Sequence, residues 1–150
     1  MSGSQGDKKS GEWGWDMPEG MDPMKVMQVA SAYWDSCVLH AANRLNVFSI
    51  LDDKSKDLDT LARETESDRR CLGALLSALV SIGFLDRDGD VFRNNEFSRM
   101  FLAESSKYYQ GGIVYMFENW YQAWGGLYNT VKTGKPSALM HQAYSDEETR

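Results

Sequence analysis

The sequence predicts a mainly α fold with one small β-hairpin, on three observations. Apolar residues recur at spacings of three and four along two long stretches, about 22–45 and 107–132, the period of an amphipathic helix. Two shorter stretches of the same period lie between them, each preceded by residues that cap helices. Only around Asp88-Gly89 do short apolar runs flank a turn dipeptide, as in a hairpin.

Residues 1–20 (MSGSQGDKKSGEWGWDMPEG) are rich in Gly, Ser, Lys and Asp, and predict a flexible arm that nucleates no core. Trp13 and Trp15 stand out in it. Two tryptophans are costly to leave wet, so they either anchor the arm in a groove of this chain or a partner, or cover the chain's own surface. The first helix is expected from Asp22-Pro23 to about Leu45, because Asp caps free N–H groups and Pro suits the first helical position. Met27, Ala30, Trp34, Cys37, Val38, Ala41 and Leu45 make its apolar stripe, widened by Tyr33 and Ala42. So broad a stripe calls for two covering surfaces, one of which can come from another chain.

Residues 46–52 (NVFSILD) read as a short apolar turn or helix, and DDKSKD after them as a solvated loop. Asp57 can cap a short helix to about Glu64, with Leu58, Leu61 and Ala62 inward. Ser67 then caps a helix from Asp68 to about Ile82, which its leucines leave almost without a polar face, so it is central. Gly83 stops it, and FLDRDGDVFRN forms the hairpin. Helices, a cap-started third helix and a hairpin in this order predict a winged-helix core with a β-hairpin wing, flanked by the long N- and C-terminal helices.

Asn94 or Asn95 can cap a short helix that buries Phe97, Met100, Phe101 and Leu102, and Ser105 or Ser106 the last long helix. That helix carries Ile113, Met116, Phe117, Trp120, Trp124, Leu127, Tyr128 and Val131 at helical spacing, and its tyrosines are of the kind that concentrate at interfaces. Gly111-Gly112 and Gly125-Gly126 mark either close approach of a neighbour or a bend. Lys132-Thr133-Gly134-Lys135-Pro136 ends it. The boundaries expected are an arm over 1–20, a domain over 21–136 and a tail or the start of a linker over 137–150.

With 42% hydrophobic and 25% charged residues, the chain is globular. Its formal charge of −6 favours a neutral or acidic surface, or a small molecule, over a nucleic-acid backbone. The helix that would enter a groove has Asp68 beside Arg69 and Arg70, and a wing reading DRDGD would set three acids near phosphate. No apolar run approaches the roughly 20 residues needed to span a bilayer. No membrane partner is expected, and the cytoplasm is the default location. Cys37 and Cys71 lie in helical patterns and read as small buried hydrophobes.

No catalytic or cofactor-binding residue is assigned, since no glycine-rich loop follows an expected strand. There are 2 histidines. His40 is a structural or interface residue or a polar group lining a pocket, and His141 reads as tail. No third ligand stands at a useful spacing, so no metal site is expected. The acids at 86, 88 and 90 lack the further donors of a calcium loop and read as a solvated turn.

Taken together, RLNVFSILDD, then LDTLARETESDRRCLGALLSALVSIGFLDRDGDVFRNNEFSRMFL, then a long aromatic helix ending in VKTGKP, resemble the N-terminal dimerisation domain of small-molecule O-methyltransferases that depend on S-adenosylmethionine. The resemblance covers roughly 24–136. It implies an intertwined homodimer whose apolar side chains wall the substrate pocket, with S-adenosylmethionine and the general base in a following domain. Carried over, it makes Tyr33, Trp34, Met116, Phe117, Trp120, Tyr121 and Trp124 the candidates for dimer or pocket contacts, although the same spacing also suits a core. The cofactor loop and the catalytic histidine have no counterpart here. The expectation is therefore a component, a fragment or a separately encoded subunit, that is inactive alone, binds no cofactor by itself and works beside a catalytic domain or companion subunit on a small aromatic molecule. The alternative is a non-enzymatic winged-helix module that binds a protein or a small ligand; a DNA-binding regulator fits less well.

Overall fold

Leu72, Leu76 and Leu79 share one face of a helix, and in the computed structural model all three are buried at the centre of the fold. The structure describes residues 20–22 and 24–136. Pro23, Trp13, Trp15, His141 and the tail expected from 137 lie outside the described residues. Two units are distinguished, Met1–Tyr33 and Trp34–Arg150.

In the first unit, α1 (Met24–Ser31) starts as expected at Asp22, whose Oδ1 accepts from the Met24 N–H at 2.8 Å. The single helix expected to Leu45 is broken at Ala32, and α2 (Tyr33–Arg44) follows. The Ser31 hydroxyl bonds back to the Met27 carbonyl at 2.8 Å, a contact that bends helices, and the Ala32 N–H reaches only to Val29. No residue of α1 is buried.

The second unit continues with α3 (Val47–Leu51), β1 (Ser55–Asp57), α4 (Leu58–Glu64), α5 (Arg69–Ser81), β2 (Leu85–Asp88), β3 (Val91–Asn94), α6 (Glu96–Phe101), α7 (Gly111–Trp124) and α8 (Leu127–Thr133). The described residues are thus mainly helical with one small antiparallel sheet. Phe48, Leu51 and Val47 from α3, Leu61 from α4, the three leucines of α5, and Leu85 and Phe92 from the hairpin make one buried cluster.

The sheet has three strands in the order β1-β3-β2, one more than the hairpin. DDKSKD, read as a loop, holds β1, where Lys56 lies opposite Phe92. Polar side chains without alternation hide such a strand, which exists only because β3 supplies its hydrogen bonds. The hairpin turn is Gly89-Asp90, between the paired Asp88 and Val91, with Gly89 at φ +58.

Helix ends follow capping chemistry. Asp57 accepts from the Thr60 N–H at 2.7 Å and Asn95 from the Ser98 N–H at 2.9 Å. Gly83, at φ +79, ends the α5 region, as its lack of a side chain allows. One cap differs: Asp68, not Ser67, caps α5, accepting from the Cys71 N–H at 2.8 Å, while the Ser67 hydroxyl turns to the Thr65 carbonyl. That arrangement leaves Cys71 exposed in the first turn, and Cys37 is half-buried, so neither thiol is the buried hydrophobe expected. Phe97 is also exposed, because α6 buries the small Ser98, whose hydroxyl donates to the Phe84 carbonyl at 2.6 Å.

The Thr60 and Cys71 backbone N–H groups hold the Asp57 and Asp68 carboxyls below the ordinary 3.8. A carboxyl depressed on folding stabilises the fold above its unfolded pKa and loses that contribution as pH falls through its folded pKa. Urea midpoints are therefore expected to fall on acidification below about pH 4. A Asp57→Asn/Asp68→Asn chain, which keeps the cap geometry without the titration, is expected to show a flatter profile.

The last helix begins at Gly111 and breaks at Gly125-Gly126, where the Gly126 N–H turns to the Ala123 carbonyl. Two adjacent glycines lower helix propensity enough to allow it. Gly134, at φ +69, closes α8.

Candidate functional site

The residues expected to carry function lie on α2 and α7. His40 is buried on α2 and meets the Tyr121 ring of α7 edge-on at 6.4 Å. One turn further along α2, the Asn43 side chain donates to the Gly111 carbonyl at 3.2 Å. Arg44 then pairs with Glu118 at 3.0 Å, with side chains 64% and 15% exposed. These three contacts fix α7 against α2.

Held that way, α7 turns its apolar stripe outward. Ile113, Phe117 and Trp124 are exposed at spacings of four and seven, and Trp120, half-buried, meets Phe117 edge-on at 5.4 Å. Met116 and Tyr121 flank the stripe, and Leu127, Tyr128 and Val131 extend the exposure along α8, the last two 75% and 77% exposed. Trp34 on α2 is exposed as well, and so is Tyr33, which belongs to the first unit. Large contiguous apolar surface is rare on monomers and marks an interaction face.

Sequence reasoning did not single out Asn43, Arg44, Glu118 or Tyr109 as site residues. Arg44 and Glu118 are 74 positions apart, and no periodicity reports such a pair. The Tyr109 phenol lies so close to Gly111 that a Cβ there would collide with it, which gives the first glycine of that pair its reason. Burial, with the Glu104 charge second, pushes the Tyr109 phenol pKa up. Gly111→Ala is expected to cost about 1–3 kcal/mol by overpacking. Much of that should return when Tyr109→Ala is added, as a thermal double-mutant cycle measures.

Among the described residues, no group of three or more His, Cys, Asp or Glu could hold a metal ion. None of the described helices is long and apolar enough to cross a membrane. The described residues also do not fit S-adenosylmethionine. Their three short strands are antiparallel, and none leads through a glycine-rich turn into a helix.

The family described as the O-methyltransferase dimerisation domain matches residues 27–104. The chain belongs to this family. It is 28% identical over 111 residues to the N,N-dimethyltransferase OxyT of Streptomyces rimosus, covering 73% of this chain and 32% of that one. It is 29% identical over 128 residues to acetylserotonin O-methyltransferase of Gallus gallus, covering 80% and 37%. The structure of human N-acetylserotonin methyltransferase in complex with SAM is similar at a TM-score of 0.71 and 27% identity, over 88% of this chain and 41% of that one. The dimerisation-domain chain thus spans about a third of the length of these curated relatives. Residues 105–136, which include α7 and α8, lie beyond the matched segment.

Proposed function

We propose that this chain is the dimerisation and pocket-covering component of an S-adenosylmethionine-dependent methyltransferase acting on a small, hydroxylated aromatic or polyketide-like molecule. The observation that carries the reading is the aromatic face of α7 and α8, which the chain's own helices leave exposed. In this reading a second copy covers that face in an intertwined homodimer, with Phe117, Trp120, Trp124 and Met116 as contacts. Tyr33, Trp34, His40 and Tyr121 serve the interface or the wall of the substrate pocket. The cofactor and the proton-transfer groups belong to a catalytic domain or companion subunit, and this component excludes water and orients the acceptor.

The order α3-β1-α4-α5-β2-β3 supports a winged-helix core reused for protein contact, within a domain over 21–136, with an arm before it and a linker or tail after it. Arg69 on α5 is tied to Asp59, and Arg87 beside the turn to Asp90, which speaks against a phosphate-binding wing. The component works in the cytoplasm. Sedimentation equilibrium tests the reading. The expected mass is twice that of the 17.0 kDa chain, and a 17.0 kDa species up to high micromolar concentration would sink it.

A further inference from the structure

A depression of about 390 Å³ opens between α2 and the start of α7, lined by Asn43, Arg44, Tyr109, Gly111, Gly112 and Tyr115. None of these residues belongs to the aromatic stripe assigned above to self-association. The volume is that of a small-molecule site, which runs from roughly 300 to 1,000 Å³.

Its lining has a definite chemistry. Tyr109 and Tyr115 present phenol rings, and Tyr109 is set in place by its close approach to Gly111. Gly112 leaves the lining open, since a Cβ there would meet no atom within 4 Å. Asn43 is held by its bond to the Gly111 carbonyl. Arg44 supplies the hydrogen-bond donors. Its Nη1 donates to Glu118 Oε1 at 3.0 Å, which orients the guanidinium, while its Nε and Nη2 edge has no hydrogen-bond partner among the described residues. Two coplanar donors on an oriented arginine match the two oxygens of a carboxylate. Tyrosine rings beside them suit a planar aromatic body.

We infer that this depression binds a small planar aromatic carboxylate, its acid group on the free edge of Arg44 and its ring against the two tyrosines. Because Glu118 balances the guanidinium charge, the selection of an acid over an amine rests on the free edge itself, which offers only donors and so suits an acceptor. The inference goes beyond the proposed function, because it assigns a ligand to residues that the self-association face does not use.

Calorimetric titration of the full chain with 2-naphthoate tests it. Saturable binding is expected, about tenfold weaker in Arg44→Met, which keeps the stem and loses the donors. It should be abolished in Gly112→Leu, whose side chain enters the depression from an uncrowded position. Naphthalen-2-ylmethylamine, with an ammonium in place of the acid, is expected not to bind. Circular dichroism checks that both variants keep the helical fold. Absence of saturable 2-naphthoate binding, or equal binding by wild type and both folded variants, overturns the site. Sedimentation of the same samples separates the two readings. A chain that binds 2-naphthoate yet stays monomeric contradicts only the dimer, and one that dimerises without binding contradicts only this site.

Discussion

Truncating Phe48 to alanine is expected to remove about 3–5 kcal/mol of stability, a large part of the roughly 5–15 kcal/mol that holds a domain of this size. Phe48 is almost wholly buried in α3, beside the Phe84 ring at 6.4 Å, within a cluster that draws on α4, α5 and the hairpin. Its carbonyl also accepts from the Asn94 side chain at 2.8 Å, which bonds the Asp52 carbonyl at 3.0 Å and so ties the end of β3 to α3. A cavity there opens at the meeting point of four elements with little freedom to collapse. Urea unfolding measures the loss. A cost below about 1 kcal/mol would mean that the core does not centre on α3 and α5.

The second large effect is on association. Phe117→Glu with Trp124→Glu places two carboxylates on the outward stripe of α7, where both residues are already exposed, so the monomer fold should survive. Aromatic anchors at the centre of an interface contribute about 2 kcal/mol or more each, and burying a charge in their place adds to the loss. The double variant is expected to dissociate by at least about a thousandfold in Kd, read by sedimentation, with unchanged helical circular dichroism. An unchanged Kd would move the interface off α7. Loss of helicity instead would mean that these side chains belong to the chain's own core.

Much of the fold is legible because it rests on local chemistry. Asp22, Asp57 and Asn95 cap where a short acceptor precedes an apolar period, Gly83 stops α5, and a turn glycine closes the hairpin. What escapes is set by distant partners or by competition between neighbours. Strand β1 is three polar residues that become a strand only beside Phe92 and its neighbours. Ser67 and Asp68 both offer oxygens, and the carboxylate takes the cap. Phe97 keeps the period of its helix yet stays exposed, because hydrogen bonding draws Ser98 inward.

The site divides in the same way. The stripe of Met116, Phe117, Trp120 and Trp124 can be read from spacing, but spacing alone cannot tell a core stripe from an exposed one. The contacts of α2 with α7 make that choice. Gly125-Gly126 signals the break in the last helix, yet its effect depends on whether a neighbouring helix holds the chain straight.

The most direct measurement of the central claim is covalent footprinting of aromatic and methionine side chains across a dilution series spanning the association. Met116, Phe117 and Trp124 are expected to be protected at high concentration and to become reactive together on dilution, while exposed Phe97 and Tyr108 stay reactive throughout. Protection confined to Phe97 and Tyr108, or reactivity at Phe117 and Trp124 that does not change with concentration, would contradict self-association through α7.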